Sequence, residues 1–150
     1  RVGMKCALPV EWKNLTWFGR GPHESYDDRK ESAYVGIYNG IVSEQSFPHI
    51  MPQENGNKTD NRWLEIYDDF GSGIRITGKT FFNFNIQNYS DKDLNRSKKE
   101  HTLIRGEKNW LHIDYKQMGL GGDDSWSPRV HKEFLLKNKV YHYTYAIEPL

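Results

Sequence analysis

Asp123 and Asp124 stand side by side in MGLGGDDSWSP, residues 118–128, and carboxyl pairs are what glycoside hydrolysis uses. That chemistry places two carboxyl groups on opposite sides of the scissile bond, about 5 Å apart in retaining enzymes and farther in inverting ones. Adjacent residues diverge from one backbone point. Asp123 and Asp124 therefore suit a turn that folds back onto nearby amides better than a catalytic pair. His23, His49, His101, His112, His131 and His142 are scattered, without HExxH or a similar ligand spacing. His112 and Asp114 share one face of a strand and could seat a metal or an acid-base pair, but an exposed polar face accounts for them more simply. No GxSxG elbow presents a serine, and the glycines of GLGGDD do not open onto the helical pattern of a phosphate loop. No catalytic residue and no metal site is assigned to this chain.

Trp126 survives this elimination. Its neighbours Gly121, Gly122, Asp123, Asp124 and Ser125 offer almost nothing apolar to bury an indole. Two arrangements are open. The ring can fold down to plug the core beneath the loop, or it can stand out on a solvated loop whose glycines supply torsions other residues avoid. In the second case it offers a flat face on which a pyranose can stack through its ring C–H groups, leaving hydroxyls free for hydrogen bonds.

The elements that position these residues are strands. Apolar residues alternate with polar ones in NWLHIDY (Leu111, Ile113 and Tyr115), in FFNFNIQ (Phe82, Phe84 and Ile86) and in KVYHYTYAIEPL (Tyr141, Tyr143, Tyr145 and Ile147). Each predicts a half-buried strand. Weaker signals lie in KNLTWFG, NRWLEIYD, GIRIT and RVHKEFLL, and YNG (38–40), ENGN (54–57) and FGSG (70–73) read as turns between them. Only SDKDLNRSKKEH reads as a helix, with Ser90 as N-cap, acids in the first turn and bases in the last. The fold class expected is all-β, an antiparallel sandwich with at most one short helix, occupying residues 1–150 as one domain. RVGMKCALPV starts directly in strand-like alternation, so the chain is expected to begin inside a larger domain and to leave a sheet edge open.

Composition narrows the partners. With 21 basic and 20 acidic residues the net charge is +1, which gives no field to attract nucleic acid or a membrane surface. Cys6 is the sole cysteine, so no internal disulfide or multi-thiolate site can form. The four N-x-S/T sequons, at Asn14, Asn57, Asn88 and Asn95, are read as chance in an asparagine-rich chain. Aromatic content is high, 14% with five tryptophans, which favours strands and suits sugar binding.

Three ordered blocks resemble a known family. QMGLGGDDSWSP (117–128), WFGRGPHESYDDRKES (17–32) and MPQENGNKTDNRW (51–63) are similar to the C-terminal domain, the small-chain or domain 5 type, of LacZ-type bacterial β-galactosidases of glycoside hydrolase family 2. The family patterns are Q-x-G-x-GGD-x-SW, W-x-G-x-GPxExYxDR and PQENGxRxDxRW, and Met51 and Asn61 depart from common usage. The resemblance implies a large β-sandwich, a super-sandwich grouped with galactose mutarotase-like folds, of which this chain is an N-terminally truncated part. It implies that the catalytic glutamates belong to a separate TIM-barrel domain of the same polypeptide. It implies that Trp126, on its loop of Gly121, Gly122, Asp123, Asp124 and Ser125, binds the β-galactoside. No cofactor is expected in this chain, although parent enzymes of the family use magnesium and sodium ions, and a homo-oligomer is compatible with the family. Bacterial cytoplasm and periplasm are both open as locations. Two other functions are compatible with the residues: a free-standing carbohydrate-binding module using Trp126 with Trp63 or Trp110, and an aldose epimerase-like enzyme using a histidine and a carboxylate.

Overall fold

Alternating apolar positions build seven strands in the computed structural model, which describes every residue from Arg1 to Leu150: β1 (Val2–Pro9), β2 (Asn14–Gly21), β3 (Tyr34–Ile41), β4 (Lys58–Tyr67), β5 (Gly73–Gln87), β6 (Lys108–Lys116) and β7 (Tyr145–Pro149). They hydrogen-bond into one antiparallel sheet in the order β1-β6-β5-β4-β2-β3, with β7 added to β5. The fold is all-β and sandwich-like, as the alternation predicts.

The long strand β5 explains the shape. GIRIT and FFNFNIQ, expected as two strands, are continuous over 15 residues. One edge of β5 runs along β4. The other edge carries β7 opposite Ile74 to Gly78 and β6 opposite Asn83 to Gln87. Halfway along, the register of β4 against β5 shifts on both sides of Asn61, and Asp60 takes a φ of 55°. Such irregularities bend a strand pair. The bend folds the sheet over itself, so that Trp17 of β2 meets Phe84 of β5 edge-on with ring centroids 5.9 Å apart. Around that contact Leu15, Leu64, Ile66, Ile76, Phe82, Ile86, Leu111 and Ile113 form one core cluster. Each such buried side chain contributes about 1.5–3 kcal/mol relative to exposure.

Several elements differ from the sequence expectation. YNG is not a turn but lies within β3, which pairs along its length with β2. RVHKEFLL forms only a 3-10 turn at Lys132–Phe134, and KVYHYTYAIEPL joins the sheet only at its end, as β7. The helix is a single short α1 (Asp91–Arg96), and the basic stretch after it passes into a 3-10 turn at Glu100–Thr102. Ser90 is its N-cap, as predicted, and it forms a reciprocal capping box with Asp93. The second half of β5 and most of β6 are not half-buried. Asn83, Asn85, Gln87, His112 and Asp114, on the face opposite the core, are buried as well.

Two irregular segments cover that polar face, and their backbone groups are satisfied by side chains. The Asn55 carbonyl accepts hydrogen bonds from Asn85 and, at 2.9 Å, from Gln87. The Asn55 side chain clasps Phe47, accepting from its N–H at 2.6 Å and donating to its carbonyl at 3.0 Å. Ser25 is tied to Asn57 and Thr59 through its N–H, its carbonyl and its hydroxyl. Lys58 points the other way, into the core, where its Nζ donates to the Gly56 carbonyl at 2.9 Å and lies 5.6 Å from the Trp17 ring centre.

Burial pushes the Lys58 amine down to about 8, with the charge of Glu24 opposing the shift. An amine depressed by folding destabilises the protein in full below its folded value, and the penalty fades as pH climbs toward the free-lysine range. The wild-type unfolding free energy is therefore expected to rise by about 2 kcal/mol between pH 8 and 10, relative to Lys58→Met. Chemical denaturation of both proteins across that range checks it, and parallel profiles would contradict it.

Candidate functional site

Residues 117–131, between β6 and the 3-10 turn, carry the GGDDSW stretch and belong to no strand. They are nevertheless pinned at several points. The Gly119 N–H donates to the Phe134 carbonyl at 3.0 Å. The Gly121 N–H donates to Asp28 Oδ2 at 2.7 Å, from a residue 93 positions away in the sequence. Gly121 and Gly122 both take positive φ, 69° and 86°. A side chain at Gly121 would also collide with the returning limb, its Cβ falling 2.3 Å from the Arg129 carbonyl. Only glycine meets both demands.

Beyond the glycines, Asp124 organises the tip. Its Oδ1 accepts from the N–H groups of Trp126 at 2.8 Å and Ser127 at 2.7 Å, the fold-back that the sequence predicts for an aspartate in this setting. Ser127 in turn accepts from the Arg129 N–H at 3.2 Å. Asp123 does something else: it reaches across the loop to His131. Ser125 is exposed. Trp126 is 90% exposed, which excludes the alternative of an indole plugging the core. The loop is a closed Ω-type excursion with a ring at its tip.

The other tryptophans do not extend this surface as open platforms. Trp63 lies under the Arg75 guanidinium at 4.5 Å and beside Phe18, and Lys5 sits 4.8 Å over Trp110. A cavity of about 240 Å³ exists elsewhere, lined by Phe47, His49, Leu94, Leu103 and Arg105, and no residue of the Trp126 loop reaches it.

His112 and Asp114 are not on an exposed polar face, because Arg1 and the 53–57 segment cover them. Arg1 contacts Asp114 at 2.9 Å, His112 Nδ1 at 2.8 Å and Glu54 at 2.6 Å. Burial raises the Asp114 carboxyl to about 6 despite the Arg1 charge, and burial with the same charge lowers His112. Glu54, Asp91 and His112 bring possible ligand atoms within 4.8 Å of one another, but the cations Arg1 and Lys5 already occupy Glu54 and Asp91. The group is an ion-pair network.

Blocks 17–32 and 51–63 meet beneath the loop. Arg20 donates to Asp60 at 2.6 Å, and Lys30 lies 3.4 Å from the same carboxylate. Burial alone would raise the Asp60 carboxyl; the Arg20 hydrogen bond and the Lys30 charge outweigh it and hold the group low. The Glu24 carboxylate accepts from the Gly56 N–H at 2.8 Å and from the Tyr26 hydroxyl at 3.2 Å. With Asp28 bound to Gly121, the three blocks form one continuous structure.

A family model described as beta galactosidase small chain matches residues 1–147. The chain belongs to the β-galactosidase small-chain family. It is 44% identical over 143 residues to a protein named beta-galactosidase from Vibrio cholerae serotype O1, covering 95% of this chain and 13% of the relative. It is 40% identical over 150 residues to a beta-galactosidase of Priestia megaterium, covering 99% of this chain and 14% of the relative. A beta-galactosidase of Lactococcus lactis subsp. lactis is 39% identical over 143 residues, again 14% of its length. The chain thus spans about one seventh of the length of the relatives it matches. Two loop features escaped the sequence reading. Asp28 is a fixed position of the YxDR pattern, but its partner Gly121 lies 93 residues away and no local signal points to it, and His131 was hidden because its partner Asp123 lies across the loop.

The Asp123 contact, then its charge and that of Glu133, raise His131 above its ordinary value. A histidine raised by folding contributes its stabilisation in full below the free value and loses it as pH rises through the folded one. The protection of amides 121–131, taken relative to their base-catalysed intrinsic exchange rate, is expected to fall as pH rises above about 6.5, the free-histidine range. Asp123→Asn should remove that fall in protection; an unchanged protection profile in the variant would show that the pair does not hold the loop.

Proposed function

We propose that this chain is the C-terminal domain of a β-galactosidase that hydrolyses terminal β-D-galactosides such as lactose, and that it completes the sugar pocket of a separate catalytic TIM barrel. The observation that carries the reading is Trp126, 90% exposed on a loop whose backbone is tied to Asp28 and whose two limbs are joined by the Asp123–His131 contact. An indole in that setting gives an apolar platform at fixed height, suited to the C–H face of a galactose ring. The loop carboxylates support a binding role, since Asp124 is committed to backbone N–H groups and Asp123 to His131. The bond-breaking acid and nucleophile come from the barrel domain, consistent with the one-seventh share of the relatives' length. A stack of this kind speeds the reaction only as far as it orients the sugar or strengthens toward the transition state.

A free-standing sugar-binding module is the second reading, because the bonds to Asp28, His131 and Phe134 are enough to hold the loop in a defined course. Titration of the chain with galactose or lactose separates the two: millimolar or tighter binding supports the module, and no binding supports a pocket shared with the barrel.

In the full-length polypeptide Trp126→Ala is expected to raise KM for a galactoside about three- to tenfold, the range an aromatic stack spans. Thermal unfolding should be unchanged, because the side chain is almost wholly in solvent. Steady-state kinetics decide it, and unaltered constants would remove Trp126 from the substrate site.

A further inference from the structure

We propose that Asp28 is the positioning residue for Trp126, an inference that rests on the reading of Trp126 as a sugar platform. Asp28 sits at the tip of a tight turn closed by reciprocal bonds between Tyr26 and Arg29, at 3.1 and 2.8 Å. The turn is itself anchored. Tyr26 is 5% exposed and its hydroxyl donates to Glu24, while Ser25 next to it is locked to Asn57. The Asp28 carboxylate is therefore presented by a rigid support.

From that support its Oδ2 takes the Gly121 N–H at 2.7 Å and fills the space beside Gly119, where an added Cβ would fall 2.5 Å away. Gly121 and Gly122 are the softest torsions of the loop and the point where it leaves the body of the domain. A charge-assisted bond at that point fixes the direction in which the rest departs. The Asp124 turn then carries the direction on to Trp126. The second oxygen, Oδ1, is buried without a hydrogen-bond partner. The bond to Gly121 is thus the one side-chain hydrogen bond the carboxylate makes within the chain, and it falls at the base of the loop. Holding the ring in place beforehand spares the substrate the entropy of ordering it.

The test is a double-mutant cycle in the full-length polypeptide, read by galactoside kinetics and by hydrogen exchange over residues 119–127. Asp28→Ala is expected to speed exchange in that segment and to raise KM about three- to tenfold, up to the loss of the whole stack, with kcat within about twofold. In a Trp126→Ala background it should add less than about twofold, because a residue acting through the indole has nothing left to orient. Asp28→Asn, which keeps an acceptor for Gly121, should restore most of the KM. Gly119→Ala gives a second route, since its methyl group displaces the carboxylate without removing it, and the same KM rise is expected. Equal effects of Asp28→Ala with and without Trp126, or unchanged exchange of the loop, would overturn the positioning role while leaving the platform intact. Silence of Trp126→Ala itself would sink the platform, and loop exchange in Asp28→Ala would then decide alone whether Asp28 fixes the loop.

Discussion

Backbone groups buried outside strands need partners, and this requirement governs the half of the molecule that carries the site. The second half of β5 and the facing part of β6 bury polar side chains on the face away from the core. Irregular chain lies on that face, where water cannot reach its N–H and C=O groups. Amide side chains take over: Asn55 closes its own segment onto Phe47, Asn57 bonds that segment to Ser25, Asn85 and Gln87 bond it to the sheet, and Asn61 donates to the Lys58 and Phe82 carbonyls where β4 bends. Each bond adds only about 1 kcal/mol net, but leaving any of these groups unpaired would cost more than making the bond gains. Removing one partner therefore loosens the whole cover.

The rigidity of the cover is what lets a loop be aimed. The 22–33 segment is fixed to the 53–60 segment by Ser25, Glu24 and the Arg20–Asp60–Lys30 group. Those charges are only about a fifth to a quarter exposed, so their attraction is screened less than that of surface pairs. Asp28 inherits its placement from this frame and passes it to a loop that has no ladder of its own. Rigid sheet, rigid cover, short turn and single bond form a series in which each member has a partner far away in sequence. The flexible part is reduced to a few residues around two glycines.

The sequence made part of this legible. Alternation located β2, β4, β5 and β6, and the capping chemistry of Ser90 fixed the start of the helix. The chemistry of the loop was also readable, because glycine torsions and the fold-back of Asp124 are local effects. What alternation could not tell is which face meets water. A strand buried on its polar side by a loop shows the same period as one exposed there, and His112 and Asp114 were misassigned for that reason. β3 was missed because Gly36, Asn39 and Gly40 look like turn residues, although pairing with β2 overrides their weak strand preference. Tyr141 and Tyr143 alternate convincingly and still form no strand; they pack on Tyr115 instead, a choice made by tertiary contact. The bond from Asp28 lay beyond any local rule, since it joins residues 93 apart.

Three features of the Trp126 loop run against stability, and they occur together. A large apolar ring faces water, two consecutive residues are held at positive φ, and a carboxylate oxygen is buried without a partner. Each occurs elsewhere in the molecule too, in the exposed ring of Phe70, the positive φ of Gly56 and the unpartnered Asn61 oxygen, but at the Trp126 loop all three meet. Local rules broken together at one point are what a surface shaped for a ligand would show. Each feature has the same consequence, a ring held away from the body of the domain in a set direction. A loop shaped for folding alone would bury the indole, relax the torsions and give the carboxylate back to solvent. That all three meet at this loop is the physical support for the proposal that it is the part of the domain that meets a ligand.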